Sequence, residues 1–571
     1  MSMEAALKYK KTDPNIVERL AQRLDCHPLL AKLLADRGIF DSGEANFFLN
    51  PTFESLTDPF SLKDMSKSVR RIYTAILNKE KILIFGDFDA DGVTSTALLV
   101  DFLEYCDADI AWYIPHRTKE GYSLQISHID FALDQDIDLI ITVDCGITSH
   151  DAVEKARLED IDVIITDHHE VSENLPDAFS IIDPKQKACL SGLDYLAGVG
   201  VAFFLVMAMR TYFREQGFWE EISEPNLLNF LDLFTIGTIG DMVPLIKDNR
   251  TLCIAGLKII QKGNRPGLNC LAAASRINIQ RLDSDDISFR IVPRINAAGR
   301  ISHARICVSQ LIDTDIVTTE KTALILDQLN TKRQKIEQDI VCQIEKKIRD
   351  HPDLLDQRIL FLWHQSWDPG VLGIAASRLS KKYYIPVILL SSANDPAIGS
   401  GRSINNINIH QALTESQTLL VKFGGHAMAS GLTVKRDNLE ELGNVLKQHM
   451  ATTYPEAEFK KSLNIDAELE FDQIDYALAK EIDRLRPFGV SNPEPVFLSR
   501  NVRVADSFIV GANHRKMILE KSSEPYDHQV EAFQFNLEDP DNLPDFFPRI
   551  IFKLKINAFK PHSARIILED V

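Results

Sequence analysis

The chain has 571 residues, 45% hydrophobic and 25% charged, enough for several domains each with its own core. No apolar run approaches the roughly 18 residues needed to cross a membrane, and the N-terminus shows no apolar signal core. The net charge of −19, from 63 basic and 82 acidic residues, argues against a protein that coats nucleic acid non-specifically, though it leaves room for a narrow basic channel. Eight scattered cysteines, without a CxxC pair or a His/Cys zinc spacing, fit reduced thiols, and a cytoplasmic location is expected.

Residues 1 to about 60 read as helical and polar, closing near Pro51 and Pro59. From about 80 to 170, apolar runs alternate with helical stretches: Ile82–Phe85, Ile110–Ile114, Leu139–Val143 and Val163–Thr166. Continuous β-branched runs separated by helices predict a parallel sheet covered on both faces, with ligands beyond the carboxyl ends of its strands. Three carboxylates, Asp87, Asp89 and Asp91, follow the first run at a spacing of two. In an extended segment that spacing puts all three on one face, which calls for a compensating divalent cation. Gly92 then permits a tight turn into a helix at Ala97–Val100. Asp144 and Asp167 follow later runs in the same way, so three strands deliver acids to one sheet edge. The third also brings His168 and His169, a pairing that favours a site over a structural role. Asp241, in the Gly-flanked turn after Ile236, reads either as another ligand or as a cap.

Between Thr318 and Asp350, Ile336, Ile340, Ile344 and Ile348 recur every four residues, as on one face of a long helix of roughly 50 Å. A second α/β unit follows from Ile359 to about 455. It holds Gly399-Ser-Gly-Arg-Ser403 and a Gly-Gly-His run at Gly424, where Arg402 and His426 can pair with a phosphate. Near the C-terminus, Ile465, Ala467, Leu469 and Phe471 alternate with acids, and Phe552, Leu554 and Ile556 with lysines. That is half-buried antiparallel patterning, suited to a small β-barrel.

The motifs Gly-Asp-Phe-Asp-Ala-Asp-Gly from Gly86, Val-Asp-Cys-Gly-Ile from Val143 and Asp-His-His from Asp167 resemble the DHH phosphoesterase superfamily. Within it the chain is similar to the RecJ family of single-stranded-DNA exonucleases over essentially its whole length. The likeness continues through Ile114–Tyr122, Leu196–Phe203, Pro293–Arg300, Gly373–Arg378, Gly424–His426 and Leu485–Pro495. It implies an α/β multidomain architecture: an N-terminal helical segment packed on the core (1–60), a parallel-sheet DHH domain (61–315), a long connecting helix (316–350), a smaller α/β DHH-associated domain (351–455) and a C-terminal OB-fold β-barrel (456–571). Two positions depart from the family pattern. Ser123 stands where a glycine usually follows Glu-Gly-Tyr, and Asp368 stands where a histidine usually follows Trp367, which puts that side chain's substrate contact in question.

The resemblance also implies a chemistry: phosphodiester hydrolysis with two Mn²⁺ or Mg²⁺ ions, whose hard oxygen-rich ligands match these metals. Asp144 would bridge the ions, Asp91, His168 and Asp241 would complete one site, and Asp89 with Asp87 the other. His169 would contact the scissile phosphate or assist proton transfer, making Asp144, His168 and His169 the catalytic set. Arg117, Ser400 and Arg402 would hold a 5′-terminal phosphate, and Arg294, Asn296, Arg300 and His426 would line the cleft. The implied activity is 5′-to-3′ degradation of single-stranded DNA in repair and recombination, with single-stranded-DNA-binding protein and a helicase as partners and no membrane. Two alternatives stand beside it: a DHH phosphodiesterase for short oligoribonucleotides, pAp or cyclic dinucleotides, and a non-catalytic DNA-binding scaffold.

Overall fold

The computed structural model describes residues 6–220, 222–511, 513–521, 528–537, 539, 543–557, 560 and 562–569. Residues 1–5 of the expected N-terminal segment, and 570–571 of the expected barrel, lie outside the described residues. The chain forms two compact units. The larger comprises Leu7–Asn296, His303–Leu324 and Asn464–Val571; the smaller holds Ala297–Ser302 and Ile325–Leu463.

The larger unit is built on a five-stranded, wholly parallel sheet. Its spatial order is Ile110–Tyr113, Ile82–Gly86, Leu139–Val143, Asp162–Thr166 and Ser180–Ile182. The two central strands, Ile82–Gly86 and Leu139–Val143, are buried at every position, as continuous apolar runs require. On one face Leu83, Phe85, Ile140, Val163 and Ile165 pack with Ile129 and Ala132 of helix Ile126–Asp134 and with Val153 and Ala156 of helix His150–Leu158. Helices Ala90–Tyr105 and Gly198–Glu215 pack on the sheet as well and against each other. The fifth strand, Ser180–Ile182, is an addition to the four expected from the sequence.

After a short strand, Ala6–Tyr9, come three short helices, each begun by a side chain that accepts from its first turn: Asp13 before Pro14–Leu24, His27 before Pro28–Ala35 and Asp41 before Ser42–Leu49. Their apolar residues Leu20, Leu30, Leu33 and Leu34 share one core with Phe497, Phe552 and Ile566 of the C-terminal barrel. In that barrel strand Phe497–Val510 pairs with His514–Lys521, then come Gln529–Gln534, Ala564–Leu568 and Phe546–Ile556, which returns to Phe497–Val510 and closes the ring. Five closed strands of this kind are an OB-fold barrel. Phe552 and Leu554 point inward, while Lys553 and Lys555 form ion pairs with Glu569 and Asp285. The alternation from Ile465 to Phe471 is not a single strand; it spans Ala467–Glu468 and a turn at Phe471–Gln473.

The smaller unit contains most of a 35-residue helix, Ile316–Asp350, which buries Ile340, Ile344 and Ile348. These pack into a mixed five-stranded sheet of order Leu420–His426, Ala429–Val434, Ala397–Arg402, Val387–Ser391 and Leu360–His364. The two glycine clusters therefore lie within strands rather than in loops.

Candidate metal centre

The first strand ends at Gly86, and the acidic triplet does not continue it. Asp87 sits in the turn, Asp89 is the N-cap of helix Ala90–Tyr105, and Asp91 lies in its first turn. The expected extended alternation is corrected here: a strand-turn-helix bend, not a period of two, gathers the carboxylates. Asp89 Oδ1 accepts from the N–H groups of Asp91 (3.0 Å) and Gly92 (3.2 Å). The Asp89 side chain thereby satisfies two orphan donors of the helix. Gly92 serves the helix, not a turn after it; a Cβ there would stand 2.5 Å from the Asp87 carbonyl oxygen.

Asp144 ends the neighbouring strand at φ 60°, in the left-handed region that a non-glycine residue enters at a cost. Helix Gly198–Glu215 begins against it: a Cβ at Gly198 would lie 2.6 Å from the Asp144 Cβ. The N–H groups of Gly198 and Val199 donate to Asp91 Oδ2 and Oδ1 at 2.6 and 2.8 Å, fixing that carboxylate. His168 follows the fourth strand; its Nε2 stands 3.1 Å from Asp144 Oδ1, 3.6 Å from Asp241 Oδ2 and 3.7 Å from Asp91 Oδ2. Asp241 caps the C-terminus of helix Leu231–Gly240.

Three sets of potential ligand atoms each fall within 4.8 Å of one another: Asp91, His168 and Asp241; Asp87, Asp89 and Asp144; and Asp144, His168 and His169. Asp144 joins the second to the third, and His168 the third to the first. Asp87 Oδ1, Asp144 Oδ1 and His168 Nε2 are buried without a hydrogen bond of acceptable geometry. Buried polar atoms are otherwise almost always bonded. Burial, and after it the charge of Asp89, pushes Asp87 well above the usual carboxylate range and Asp91 up to about 7. Asp144 is likewise held far up by burial and then by Asp91, Asp89 and Asp87; burial and Asp91 raise Asp241 to about 9. Burial and then His169 lower His168 to about 3, so its imidazole is neutral at neutral pH. Hard oxygens, one neutral imidazole and unmet negative charge fit Mn²⁺ or Mg²⁺.

His169 differs from His168. Burial works against its charge, but a 2.7 Å hydrogen bond between its Nδ1 and Asp167 Oδ1, with the surrounding carboxylates, raises it to about 9. Asp167 is a positioning residue that the sequence reading left without a role; it also accepts from the N–H groups of Ile147 and His168. The Tyr122 hydroxyl lies 3.3 Å from His169 Nδ1. Asp183, at the end of the fifth strand, is a further buried acid, raised by burial to about 7. Tyr122 lies in the same motif as Arg117, whereas Asp183 follows a run too short to read as a strand.

The remaining candidates divide between the units. In the larger, the Arg117 guanidinium stacks on Phe88 at 4.7 Å, Asn296 Oδ1 accepts from the Ala90 N–H at 2.7 Å, and Arg294 Nη1 donates to the Arg290 carbonyl. In the smaller, Arg402 Nη1 donates to Ser400 Oγ at 2.9 Å. Gly373, in the first turn of helix Leu372–Tyr383, faces that pair; a Cβ there would lie 2.7 Å from Arg402 Nη2 and 2.9 Å from Ser400 Oγ. A helix N-terminus, a guanidinium and a hydroxyl converge there, groups whose donors suit an anion. Arg300 Nη1 donates to the Gly370 carbonyl in the turn that Asp368 closes by accepting from the Gly370 N–H. His426 is exposed on the strand Leu420–His426.

Three family models match the chain: DHH family, N-terminal domain, over residues 81–238; DHHA1 domain over 356–452; and RecJ OB domain over 465–570. The single-stranded-DNA-specific exonuclease RecJ of Haemophilus influenzae is 34% identical over 95% of this chain and 96% of its own. That of Escherichia coli is 35% identical over 95% and 96%, and that of Bacillus subtilis 36% identical over 92% of this chain and 65% of the longer relative. Among solved structures, RecJ from Thermus thermophilus in complex with Mn²⁺ superposes with a TM-score of 0.82 at 26% identity, covering 99% of this chain and 79% of that one. Another exonuclease RecJ bound to manganese gives 0.58 at 31% identity, covering 69% and 96%. By sequence along nearly its full length, and by a fold with the same three modules, the chain belongs to the RecJ family of single-stranded-DNA-specific exonucleases.

Proposed function

We propose that this chain is a metal-dependent exonuclease that degrades single-stranded DNA from its 5′ end, using two Mn²⁺ or Mg²⁺ ions per site. The observation that carries this reading is the buried trio Asp87 Oδ1, Asp144 Oδ1 and His168 Nε2, none with a hydrogen bond of acceptable geometry, beside carboxylates that need positive charge. When bound, two divalent cations supply Lewis-acid stabilisation of the phosphate and activation of the attacking water. Asp91, His168 and Asp241 would hold one ion and Asp87 and Asp89 the other, with Asp144 near both sets. The backbone N–H groups of Gly198 and Val199 keep Asp91 oriented for that role. His169, charged at neutral pH and held by Asp167, donates a proton or hydrogen bond to a non-bridging or departing oxygen of the phosphate. Arg294 and Asn296 of the larger unit, and Arg300 and His426 of the smaller, are the proposed contacts to the strand.

Polarity rests on a second anion site. Ser400, Arg402 and the first turn of helix Leu372–Tyr383 take the 5′-terminal phosphate. The closed barrel adds a surface for unpaired strands without sequence readout. The domain limits proposed with this reading are 61–315, 316–350, 351–455 and 456–571, and the helices between Pro14 and Leu49 share the barrel's core. Single-stranded-DNA-binding protein and a helicase are the proposed partners, in the cytoplasm. A complete set of metal-ligand side chains favours this reading over a scaffold, and the barrel favours it over a phosphodiesterase for short oligoribonucleotides. The test is a time course on 5′- and 3′-labelled single strands, duplex and RNA, with Mn²⁺, Mg²⁺ or chelator. Release of nucleotides from the 5′ end of single-stranded DNA alone is expected; equal cleavage of duplex, or none with either metal, refutes the proposal.

A further inference from the structure

On a turn packed against the helix that Asp241 caps, the larger unit carries an aromatic ring that its core does not use. Ile287–Ile291 form a single π turn between the helical residues Ser284–Asp286 and helix Val292–Ile301. π turns cluster at functional sites. This one packs on helix Leu231–Gly240, the helix that ends in Asp241. Ile287 and Ile291 are fully buried, whereas Phe289 between them is 76% exposed. One turn on, Val292 presses into the centre's wall: a Cβ at Gly240 would stand 3.1 Å from Val292 Cγ2 and 3.2 Å from the Cβ of Ala90, the residue between Asp89 and Asp91. Asn296 bonds the same Ala90, so the segment from 287 to 296 borders the start of the metal-bearing helix. The residue after Asp241 is a second oddity: Met242 is 71% exposed at φ 62°, an uncommon conformation for a long side chain.

The geometry points to Phe289 as the ring on which a nucleobase flanking the reacting phosphate stacks, with Met242 as a second apolar contact at the same rim. This rests on the exonuclease reading above. Every base presents a π-face, so such a ring holds a strand without reading its sequence. A base lying on Phe289 must leave its neighbour's stack, which an unpaired strand permits and a duplex resists. The ring thus contributes to single-strand preference in the larger unit itself.

The test compares two 5′-phosphorylated oligonucleotides with Mn²⁺: one natural, one carrying tetrahydrofuran in place of the first two bases. Wild type, Phe289→Ala and Phe289→Trp are measured for kcat/KM, and thermal melting verifies folding of each variant. A base–aromatic stack corresponds to roughly a 5- to 150-fold factor. Phe289→Ala is expected to lower kcat/KM on the natural end by that amount, at least about fivefold more than on the abasic end. Phe289→Trp is expected to restore most of the loss. Equal losses on both ends, or no loss on the natural end, overturn the assignment while leaving the exonuclease reading intact. A folded wild type that degrades neither oligonucleotide overturns both.

Discussion

Without metal, the protein should lose stability as pH rises from 7 to 9, and Mg²⁺ should restore more stability at pH 9 than at pH 7. Asp241 and Asp91 carry folded-state pKa values of about 9 and about 7, raised by burial and by acidic neighbours from an ordinary value near 3.8. Between the ordinary and the raised value, the folded state holds a proton that the unfolded chain has released. Stability therefore falls with rising pH across that window, by about 1.4 kcal/mol per pH unit for each group. From pH 7 to 9 Asp241 alone costs about 2–3 kcal/mol as an order of magnitude. His169, raised to about 9, works in the same direction, its stabilisation being lost as it deprotonates. His168 has the opposite sign, but its window, from about 3 to 6.5, lies below this range. Bound cations replace the protons, so ion affinity rises as the carboxylates ionise. The assay is thermal melting at pH 7, 8 and 9 in chelator and in saturating Mg²⁺, for wild type and Asp241→Asn. The variant should show a shallower fall in chelator and a smaller Mg²⁺ shift. A wild-type melting temperature that is flat or rising in chelator, or an Mg²⁺ shift independent of pH, would refute the electrostatic reasoning.

Other changes separate the parts of the site. Asp167→Asn keeps the metal ligands and an acceptor oxygen but removes the charge that helps keep His169 protonated; activity should fall about 10- to 100-fold with Mn²⁺ binding by calorimetry largely retained. Arg402→Ala should abolish preference for a 5′-phosphorylated over a 5′-hydroxyl end, measured as the ratio of initial rates; equal loss on both ends would contradict the second anion site. Ser123 sits at φ 70° with its hydroxyl bonded to Ser149 Oγ at 2.7 Å and accepting from the Gly146 N–H at 3.1 Å. Ser123→Gly relieves backbone strain but leaves those groups unpaired, for a net loss of about 1 kcal/mol in denaturant unfolding; a gain in stability would show that strain dominates.

The strands of the parallel sheet were legible because their burial demands uninterrupted β-branched runs, and the acid after three of the four runs marks the carboxyl edge. Ser180–Ile182 escaped notice because three residues carry no period. The acidic triplet was legible as chemistry but not as geometry: a spacing of two suggests a strand, while Asp89 acts as the N-cap of the following helix. A cap competes with extension only once the downstream helix has a partner to pack on, here Gly198–Glu215. The common core of the N-terminal helices and the barrel joins residues more than 400 positions apart, and no local pattern records such a pairing. The role of Asp167 was hidden for a related reason, since orienting His169 depends on a side-chain bond, not on spacing. Asp368 departs from the family pattern, yet its carboxylate closes the turn whose Gly370 carbonyl receives Arg300, a local duty that no motif would disclose.

The central claim is that Asp144, shared between two sets of potential ligands, is required for nucleotide release from a single strand. The most direct measurement follows nucleotide release from a 5′-phosphorylated, 3′-labelled single strand with Mn²⁺, for wild type and for Asp144→Asn verified as folded by melting. The account predicts progressive shortening from the 5′ end by wild type, none in chelator, and loss of at least about a thousandfold in rate for Asp144→Asn, the scale of a metal-borne transition-state contribution. Near-normal degradation by folded Asp144→Asn would contradict it.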